Sequence, residues 1–343
     1  SCVKASWLAA AAGSSVWPVI IYIILIFMVV GIVDKIVFKN RYGYGVQFEE
    51  GIMAMGTLAM SMVGIMCFAP VLGKILMPVA GPFYGLFGGD PAMVAGSVLA
   101  IDMGGYPLAQ AMTDTKELQQ LSGLYLGAMM GATVVFSIPV SLGLVKKEDR
   151  DYIAKGFLSG FIAVPFGVAI SGMATGISLA VLCINLWPTA VLALLFALGL
   201  KCVPKAMMKG FDIFAKLISA FAMICLGSAI IEALSGIKVI PGMDPIGPQL
   251  EIVGTLAITL SGAYPMVHFV RTVLSGLLEK MGRFLGVNSA AAAGMIACLA
   301  NNLPTFSMIE KMDERGKIYS TAFSVCASFA LGDHLAYAAT AGQ

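Results

Sequence analysis

The stretch "AIDMGGYPLAQAM", residues 100–112, places an acid, a glycine pair and a proline in the middle of a long apolar region. Hydrocarbon accommodates neither an isolated carboxylate nor an interrupted helix, because each leaves polar groups without partners. Irregular backbone at membrane depth survives only where it is buried in protein or lines a cavity. The stretch therefore predicts a helix that breaks inside the protein and presents Asp102 to an internal site.

The composition of the chain is that of an integral membrane protein. Hydrophobic residues make up 59% of the 343 positions, charged residues make up 12%, and the mean hydropathy is +0.91. These values lie far from the averages of soluble domains. A net charge of +2 gives no indication of a nucleic-acid partner. With two histidines and singly scattered cysteines, the sequence predicts neither a metal site nor a bound cofactor.

Apolar segments, most of them long enough to cross a bilayer as helices, recur along the chain. Strand-like alternation is absent, so we expect an all-α polytopic membrane protein. Two segments differ from the others, because the third contains "GGYP" and the ninth contains "LANNLPTF", residues 299–306. The segments fall at about 16–38, 51–73, 91–112, 118–145, 154–176, 178–200, 211–235, 250–270, 287–310 and 318–340.

The sequence also contains an internal repeat. "GTLAMSMVG" from Gly56 recurs as "GTLAITLSG" from Gly254, an offset of 198 residues that also relates Ser122 to Ser320. A slip of one residue then superposes "GGYP" on "NNLP". Self-similarity at one fixed offset is typical of a duplicated architecture. We predict a single transmembrane transport domain over 1–343, with repeat 1 at about 16–180, a connecting helix at about 178–200 and repeat 2 at about 211–343. The offset also predicts a further closing helix in the natural protein, beyond residue 343.

The distribution of lysine and arginine distinguishes two topologies. If the third and ninth segments are re-entrant hairpins, 17 of the 21 basic residues face one side of the membrane. If all ten segments cross, the division becomes 13 against 8. Because cytoplasmic loops carry the excess of basic residues, the charges favour the hairpin model. The two repeats are then inverted, with broken hairpins that meet near the membrane midplane, as is typical of secondary transporters.

The two predicted breaks supply the first candidate site residues. Asp102 lies beside Gly104 and Gly105, and no lysine or arginine is close to it in sequence. A buried carboxylate without a protein cation indicates a cationic ligand, although capping by the glycine-loop amides is the structural alternative. At the other break, Asn301 and Asn302 offer amide donors and acceptors for a hydroxyl or amine, unless they only cap the interrupted helix.

Other polar or aromatic residues extend the candidate site. Tyr106 and Tyr264 could offer ring faces to an ammonium group, although ordinary packing is the better explanation for each. Asp333 and His334 lie within the tenth segment, and a titrating histidine could pass a proton if transport is coupled to protons. Glu50 follows the start of the second helix, where an acid also stabilises the helix dipole. No residue pattern indicates a catalytic nucleophile.

Several long motifs are similar to a known family. "QFEEGIMAMG", "IDMGGYPLA", "FSIPVSLG", "GAYPMV", "AAAGMIACLANNLP", "KMDERGK" and "FALGDHL", spread over residues 47–339, resemble the EutH-type ethanolamine permeases of bacterial ethanolamine utilisation. The resemblance implies a multi-pass protein of the bacterial inner membrane. It also implies that the protein imports ethanolamine, which cobalamin-dependent ethanolamine ammonia-lyase then degrades. It implies transport and not enzymatic activity.

The implied substrate suits the residues that the motifs contain. Ethanolamine at neutral pH is a small ammonium ion with one hydroxyl, so Asp102 would hold the ammonium while Asn301 and Asn302 hold the hydroxyl. A passive channel or facilitator for a different small amine or amino alcohol is the main alternative. An intramembrane enzyme and a sensor subunit are weaker alternatives. The expected partners are ethanolamine and the lipid bilayer, without nucleic acid, and the sequence leaves the coupling ion and homo-oligomer formation open.

Overall fold

The computed structural model describes residues 17–86 and 88–341, and these residues form helices and connecting turns without a strand. A helix satisfies its backbone hydrogen bonds internally, so apolar segments of this length form helices in lipid. The prediction of an all-α membrane protein is confirmed at this level. In chain order the α-helices are α1 (Trp17–Ile36), α2 (Tyr44–Leu58), α3 (Gly64–Gly85), α4 (Met93–Val98), α5 (Gly105–Met112), α6 (Lys116–Gln119), α7 (Ile138–Leu144), α8 (Arg150–Ala174), α9 (Leu179–Cys202), α10 (Pro204–Ser235), α11 (Ile246–Leu285), α12 (Ser289–Ala300), α13 (Leu303–Ser307), α14 (Glu314–Ala327) and α15 (Asp333–Ala341).

Within the described residues, seven helical stretches are long and apolar enough to cross a membrane. Two of these stretches consist of α-helices joined by π-helical turns, in which the backbone hydrogen bonds run from residue i to i+5 instead of i+4. The π-helical turn Ala59–Val63 joins α2 to α3, and those at Gln120–Gly131 and Thr133–Ser137 connect α6 to α7. The stretches are Val19–Ile36, Tyr44–Gly85, Lys116–Leu144, Lys147–Ala174, Leu179–Cys202, Pro204–Ser235 and Ile246–Val273.

The third predicted segment forms two short helices that return to the same end of the molecule. We call α4, α5 and the turn between them the first hairpin. Asp90 precedes α4 and Thr113 follows α5. Thr113 Oγ1 donates a hydrogen bond of 2.8 Å to Asp90 Oδ2, which joins the two ends of the hairpin. Asp90 also accepts from the Ala92 amide at 2.8 Å. The two arms therefore enter and leave on one side, as the hairpin topology requires.

The ninth predicted segment has the same form. We call α12, α13 and the turn between them the second hairpin. Asn288, directly before α12, donates from Nδ2 to the Lys311 carbonyl at 2.9 Å, just after the end of α13. The backbone amide of Asn288 also donates to Asp313 Oδ1 at 2.8 Å. The second hairpin thus also opens at a single end.

The hairpins open at opposite ends of one long helical stretch. Gln119, near the start of Lys116–Leu144, donates to the Thr113 carbonyl at 2.8 Å, beside the mouth of the first hairpin. Lys146, just past the other end of that stretch, pairs with Glu310 at 2.5 Å, beside the mouth of the second hairpin. A helical stretch of 29 residues spans about 40 Å. The mouths therefore lie about a membrane thickness apart.

Equivalent serines anchor the first arm of each hairpin. Ser122 Oγ donates to the Ala92 carbonyl at 2.6 Å, and Ser320 Oγ donates to the Ala291 carbonyl at 3.3 Å. Ser122 and Ser320 are related by the 198-residue offset found in the sequence. All four residues are buried. The contact between each hairpin and the helix behind it therefore recurs in the two halves of the chain.

The tenth predicted segment, 318–340, contains a third interruption that the sequence analysis did not anticipate. Helix α14 ends at Ala327 and α15 begins at Asp333, and we call residues 328–332 between them the third break. The Phe329 amide donates to the Cys298 carbonyl at 2.9 Å, and the Leu331 amide donates to the Leu299 carbonyl at 2.8 Å. Because the end of α12 supplies these partners, the chain interrupts its helix there without a proline.

Candidate substrate site

Asp102 lies at the turn of the first hairpin. Between α4 and α5 the backbone is extended at Leu99 and Ala100, and it then forms a short 3-10 turn over Ile101–Met103. Gly104 follows with φ of 92°, a left-handed conformation that residues with a Cβ rarely adopt. The Gly105 amide then donates to the Ala100 carbonyl at 2.9 Å. The glycine pair therefore closes the turn that presents the partly buried Asp102 carboxylate.

A second acid lies opposite this turn. Asp333 is the first residue of α15, directly after the third break, and its carboxylate Oδ1 accepts a hydrogen bond of 2.7 Å from the Tyr264 hydroxyl on α11. The carboxylates of Asp102 and Asp333 are close enough to interact electrostatically. The structure thus combines two acids that the sequence places in different segments.

The two acids lack a cationic partner in the part of the chain that is described. The four ion pairs found there are Lys35 with Glu49, Lys146 with Glu310, Lys216 with Asp212 and Lys317 with Asp149. Asp102 and Asp333 are both partly buried, so water screens their charges incompletely. Two neighbouring carboxylates in this setting repel each other and favour a bound cation.

Aromatic rings enclose the Asp102 side of the site. The rings of Tyr106 and Tyr337 pack edge to face with centroids 6.2 Å apart, and both side chains are buried. Tyr337 also lies within electrostatic range of Asp102. A tyrosine face attracts an organic cation through its quadrupole, which adds to the attraction of the carboxylates. Tyr337 is not among the residues predicted from the sequence, although it follows Asp333 by four positions and so shares its helix face.

A cavity of about 420 Å³ approaches the site from the end where the first hairpin opens. Its volume lies within the range of ligand pockets in proteins. Tyr106 and Tyr337 form part of its wall, apolar residues of α3, α5 and α11 form most of the rest, and four polar side chains also line it. These polar residues are Gln110, Asp244, Gln249 and Thr340. The cavity therefore offers a partly polar route toward the two tyrosines and the acids beside them.

The asparagines of the second hairpin make different contacts. Asn301 Oδ1 accepts from the Leu303 amide at 2.9 Å, so it caps α13. Asn302 is fully buried and donates from Nδ2 to Ser137 Oγ at 2.7 Å. Its Oδ1 atom is buried without a hydrogen-bond partner. These hydrogen bonds join Asn302 to the long helical stretch and not to the two acids.

The last two predicted residues differ in their surroundings. His334 is buried, its ring packs 5.1 Å from that of Phe329, and its Nε2 atom has no hydrogen-bond partner. Successive helical residues point about 100° apart, so His334 faces away from the Asp333–Tyr264 pair. Glu50 is exposed in the second turn of α2 and accepts from Gln47 Nε2 at 3.0 Å. It also lies within electrostatic range of Tyr264.

The structure therefore brings together most of the predicted site. Tyr264, Asp333, Asp102 and Tyr106 form one continuous neighbourhood, with Gly104 and Gly105 shaping its turn. Glu50 lies at the edge of this neighbourhood. The interactions described for Asn301 and Asn302 lie at the other hairpin. Among residues 17–86 and 88–341, no cluster of metal-ligating side chains occurs.

Comparison with known proteins identifies related sequences. The family model described as "Ethanolamine utilisation protein, EutH" matches residues 16–343. A protein of Listeria monocytogenes named "Probable ethanolamine permease EutH" is 49% identical over 96% of this chain and 88% of its own length. A protein of the same name from Salmonella typhimurium is 42% identical over 94% and 88%. "Uncharacterized protein YxeR" of Bacillus subtilis is 39% identical over 93% and 86%. No solved structure matches the chain.

Proposed function

The chain belongs to the family described as ethanolamine utilisation protein EutH, and we propose that it is a permease that imports ethanolamine across the bacterial inner membrane. The observation that carries this proposal is the identity of 49%, over nearly the whole chain, with a relative named an ethanolamine permease. Seven helical stretches able to cross a membrane support a multi-pass location. The relatives' names describe transport, so the protein is assigned as a transporter and not an enzyme.

The ammonium group of ethanolamine binds between Asp102 and Asp333 in this proposal. Two partly buried carboxylates close to each other, without a paired cation among the described residues, support this assignment. A cation placed between them offsets both their mutual repulsion and their loss of hydration. The Tyr264 hydroxyl holds Asp333 in position, and the rings of Tyr106 and Tyr337 exclude water from one side.

The second hairpin contacts the substrate hydroxyl in this proposal, as the sequence predicts. Asn302 supports it because its Oδ1 is buried without a partner, and a buried unsatisfied acceptor costs about 1–3 kcal/mol. A hydroxyl donor from the substrate would remove that cost. Asn301 Oδ1 accepts from the Leu303 amide, and its amide nitrogen can donate to a ligand. His334 supplies a second buried atom without a partner, Nε2, for a hydrogen bond or a proton.

An inverted repeat provides the means of alternating access. Three features support it: the offset of 198 residues, the matching serine contacts of the two hairpins, and the opening of the hairpins at opposite ends. In secondary transporters of this kind, one repeat moves against the other around a substrate held near the membrane midplane. The first hairpin then faces the outside, where the cavity of about 420 Å³ receives the substrate.

Counterflow in proteoliposomes tests the proposed function. Vesicles loaded with unlabelled ethanolamine should take up radiolabelled ethanolamine transiently above its equilibrium level, because a carrier exchanges bound substrate across the membrane. Empty liposomes are the control. Saturable uptake with counterflow supports a permease, whereas non-saturable uptake without counterflow would show a channel. If another small amine shows counterflow and ethanolamine shows none, the substrate is that amine and not ethanolamine.

A further inference from the structure

A second cavity lies far from the substrate site, at the end where the second hairpin opens. We call it the basic pocket. Its volume is about 860 Å³, and it lies between the end of α7, the start of α8 and the start of α10. Five basic side chains and two acidic ones line it. The basic side chains are Lys147, Arg150, Lys205, Lys209 and Lys216.

Most of this positive charge is available to a ligand. Lys147, Lys205 and Lys209 are exposed and take part in none of the four ion pairs of the described chain. Lys216 is compensated, because it pairs with Asp212 at 2.7 Å. Arg150 donates from Nη2 to the Leu142 carbonyl at 2.9 Å, while its Nε atom is buried without a partner. An unpaired guanidinium donor beside three free lysines is a site for an anion.

Two helix N-termini reinforce the positive potential. Helix α8 begins at Arg150 and α10 begins at Pro204, and both residues line the basic pocket. Neither helix has a side-chain cap at its N-terminus. The Asp149 carboxylate, which could cap α8, accepts from Lys317 at 2.6 Å instead. The positive ends of both helix dipoles therefore favour an anion, phosphate above all.

The remaining walls of the basic pocket are apolar. Pro139, Leu142, Ala154 and Met208 line it beside the charged groups. This end of the molecule also carries 17 of the 21 basic residues in the hairpin topology, which places it at the cytoplasmic face. Basic pockets between helices at that face are suited to lipid headgroups. An inorganic ion would use the charges but not the apolar walls.

We propose that the basic pocket binds the phosphate of an anionic phospholipid headgroup from the cytoplasmic leaflet, with the first part of the acyl chains against its apolar wall. Lys205 and Lys209 contact the phosphate, and the Arg150 guanidinium adds positive charge beside it. The site is independent of the substrate site, so it does not rest on the proposed transport function. Binding of a phosphate-containing ligand is the shared chemistry, and the experiment below separates a lipid from free phosphate.

Native mass spectrometry of the detergent-solubilised protein tests this site. The probes are phosphatidylglycerol, zwitterionic phosphatidylethanolamine and inorganic phosphate. The double variant Lys205→Gln/Lys209→Gln should bind phosphatidylglycerol about 30-fold more weakly, since each lysine near a membrane surface contributes about fivefold. The matched control is Lys201→Gln/Lys280→Gln, which removes two exposed lysines at the same end that do not line the pocket.

Each outcome of this experiment has one meaning. Weaker phosphatidylglycerol binding in the double variant alone, with recovery in Lys205→Arg/Lys209→Arg, supports the site and excludes a folding defect. Equal binding in the double variant and the parent would overturn it, as would equal binding of phosphatidylethanolamine. If inorganic phosphate binds alone and displaces phosphatidylglycerol at equal concentration, the lipid assignment is wrong and the pocket is a free-phosphate site.

Discussion

The two hairpins have the same backbone plan but different chemistry at their turns. The first presents Asp102, a carboxylate, after an extended segment closed by Gly104 and Gly105. The second presents Asn301 and Asn302, which are uncharged and which cap α13 or contact Ser137. In the proposed duplication, such a difference separates what the fold needs from what the ligand needs. The broken helix is common to both halves, whereas the negative charge belongs to one.

The acid next to Asp102 also comes from a feature that only one half of the chain has. The acid that faces it comes from the third break, at the start of α15, and not from the turn of the second hairpin. The stretch 198 residues earlier in the chain is a continuous helix with π-helical turns. The two halves of the chain therefore differ in the segment behind the hairpin, and this difference places Asp333 beside Asp102.

The largest expected effect is that of Asp102→Asn on transport. Removing one charge from a site that binds a cation costs about 3 kcal/mol, so uptake at low ethanolamine should fall about 100-fold or more. The variant should remain folded, since it also relieves repulsion between two acids. Radiolabelled uptake in proteoliposomes and the thermal midpoint measure the two effects. Asp114→Asn, at an exposed position just after the first hairpin, is the control and should transport normally. Normal uptake by Asp102→Asn would remove the acid from the site.

A smaller effect is expected at the second hairpin, and it should appear in stability. Asn302→Ala leaves the Ser137 hydroxyl without its partner in a fully buried position, which costs about 2 kcal/mol of stability. The thermal midpoint in detergent should fall clearly. Leu303→Ala, at an exposed position next in the chain, is the matched control and should change it little. An unchanged midpoint for Asn302→Ala would show that the Ser137 contact contributes nothing to the second hairpin.

Tyr264→Phe should affect affinity moderately. The variant removes the hydroxyl that holds Asp333 at 2.7 Å but keeps the ring, so about 1 kcal/mol is lost. The ethanolamine concentration for half-maximal uptake should rise about fivefold while the maximal rate changes less. Tyr319→Phe, on an exposed part of α14, is the control. A rise in both variants, or in neither, would contradict a positioning role for Tyr264.

The smallest effect is expected at the mouth of the first hairpin. Thr113→Val breaks the hydrogen bond to Asp90 that joins the two ends, but Asp90 retains the Ala92 amide and stays close to water. The expected loss of stability is about 0.5–1 kcal/mol, with uptake nearly normal. Thr272→Val, on the exposed surface of α11, is the control, and its stability and uptake should change little. A complete loss of uptake in Thr113→Val would mean that the hairpin mouth takes part in substrate binding.

Two of the three helix interruptions can be predicted from the sequence, and the third cannot. The first two carry glycine, proline and polar residues, which punctuate an apolar segment visibly. The third, within "ASFALGD", is almost entirely apolar, and its backbone is satisfied by the carbonyls of Cys298 and Leu299. Those partners come from another segment, so no local pattern could indicate the break. The π-helical turns also depend on packing, because Gly131 lies directly against the Leu99 carbonyl.

The candidate site was predictable in its members but not in its pairing. A lone acid in an apolar segment identifies Asp102 and Asp333 individually. Their proximity depends on how distant segments pack, as does the convergence of α8 and α10 on the basic pocket. The sequence paired Asp102 with the asparagines because both lie at predicted turns. In the structure the third break, whose position the sequence does not reveal, supplies the neighbour of Asp102.

An experimental density map of the protein with ethanolamine bound is the most direct test of the central claim. We expect density for the ammonium group within hydrogen-bond distance of both Asp102 and Asp333, beside the rings of Tyr106 and Tyr337. Density for the ammonium at Asn302 and Ser137, with Asp102 and Asp333 free of ligand, would contradict it.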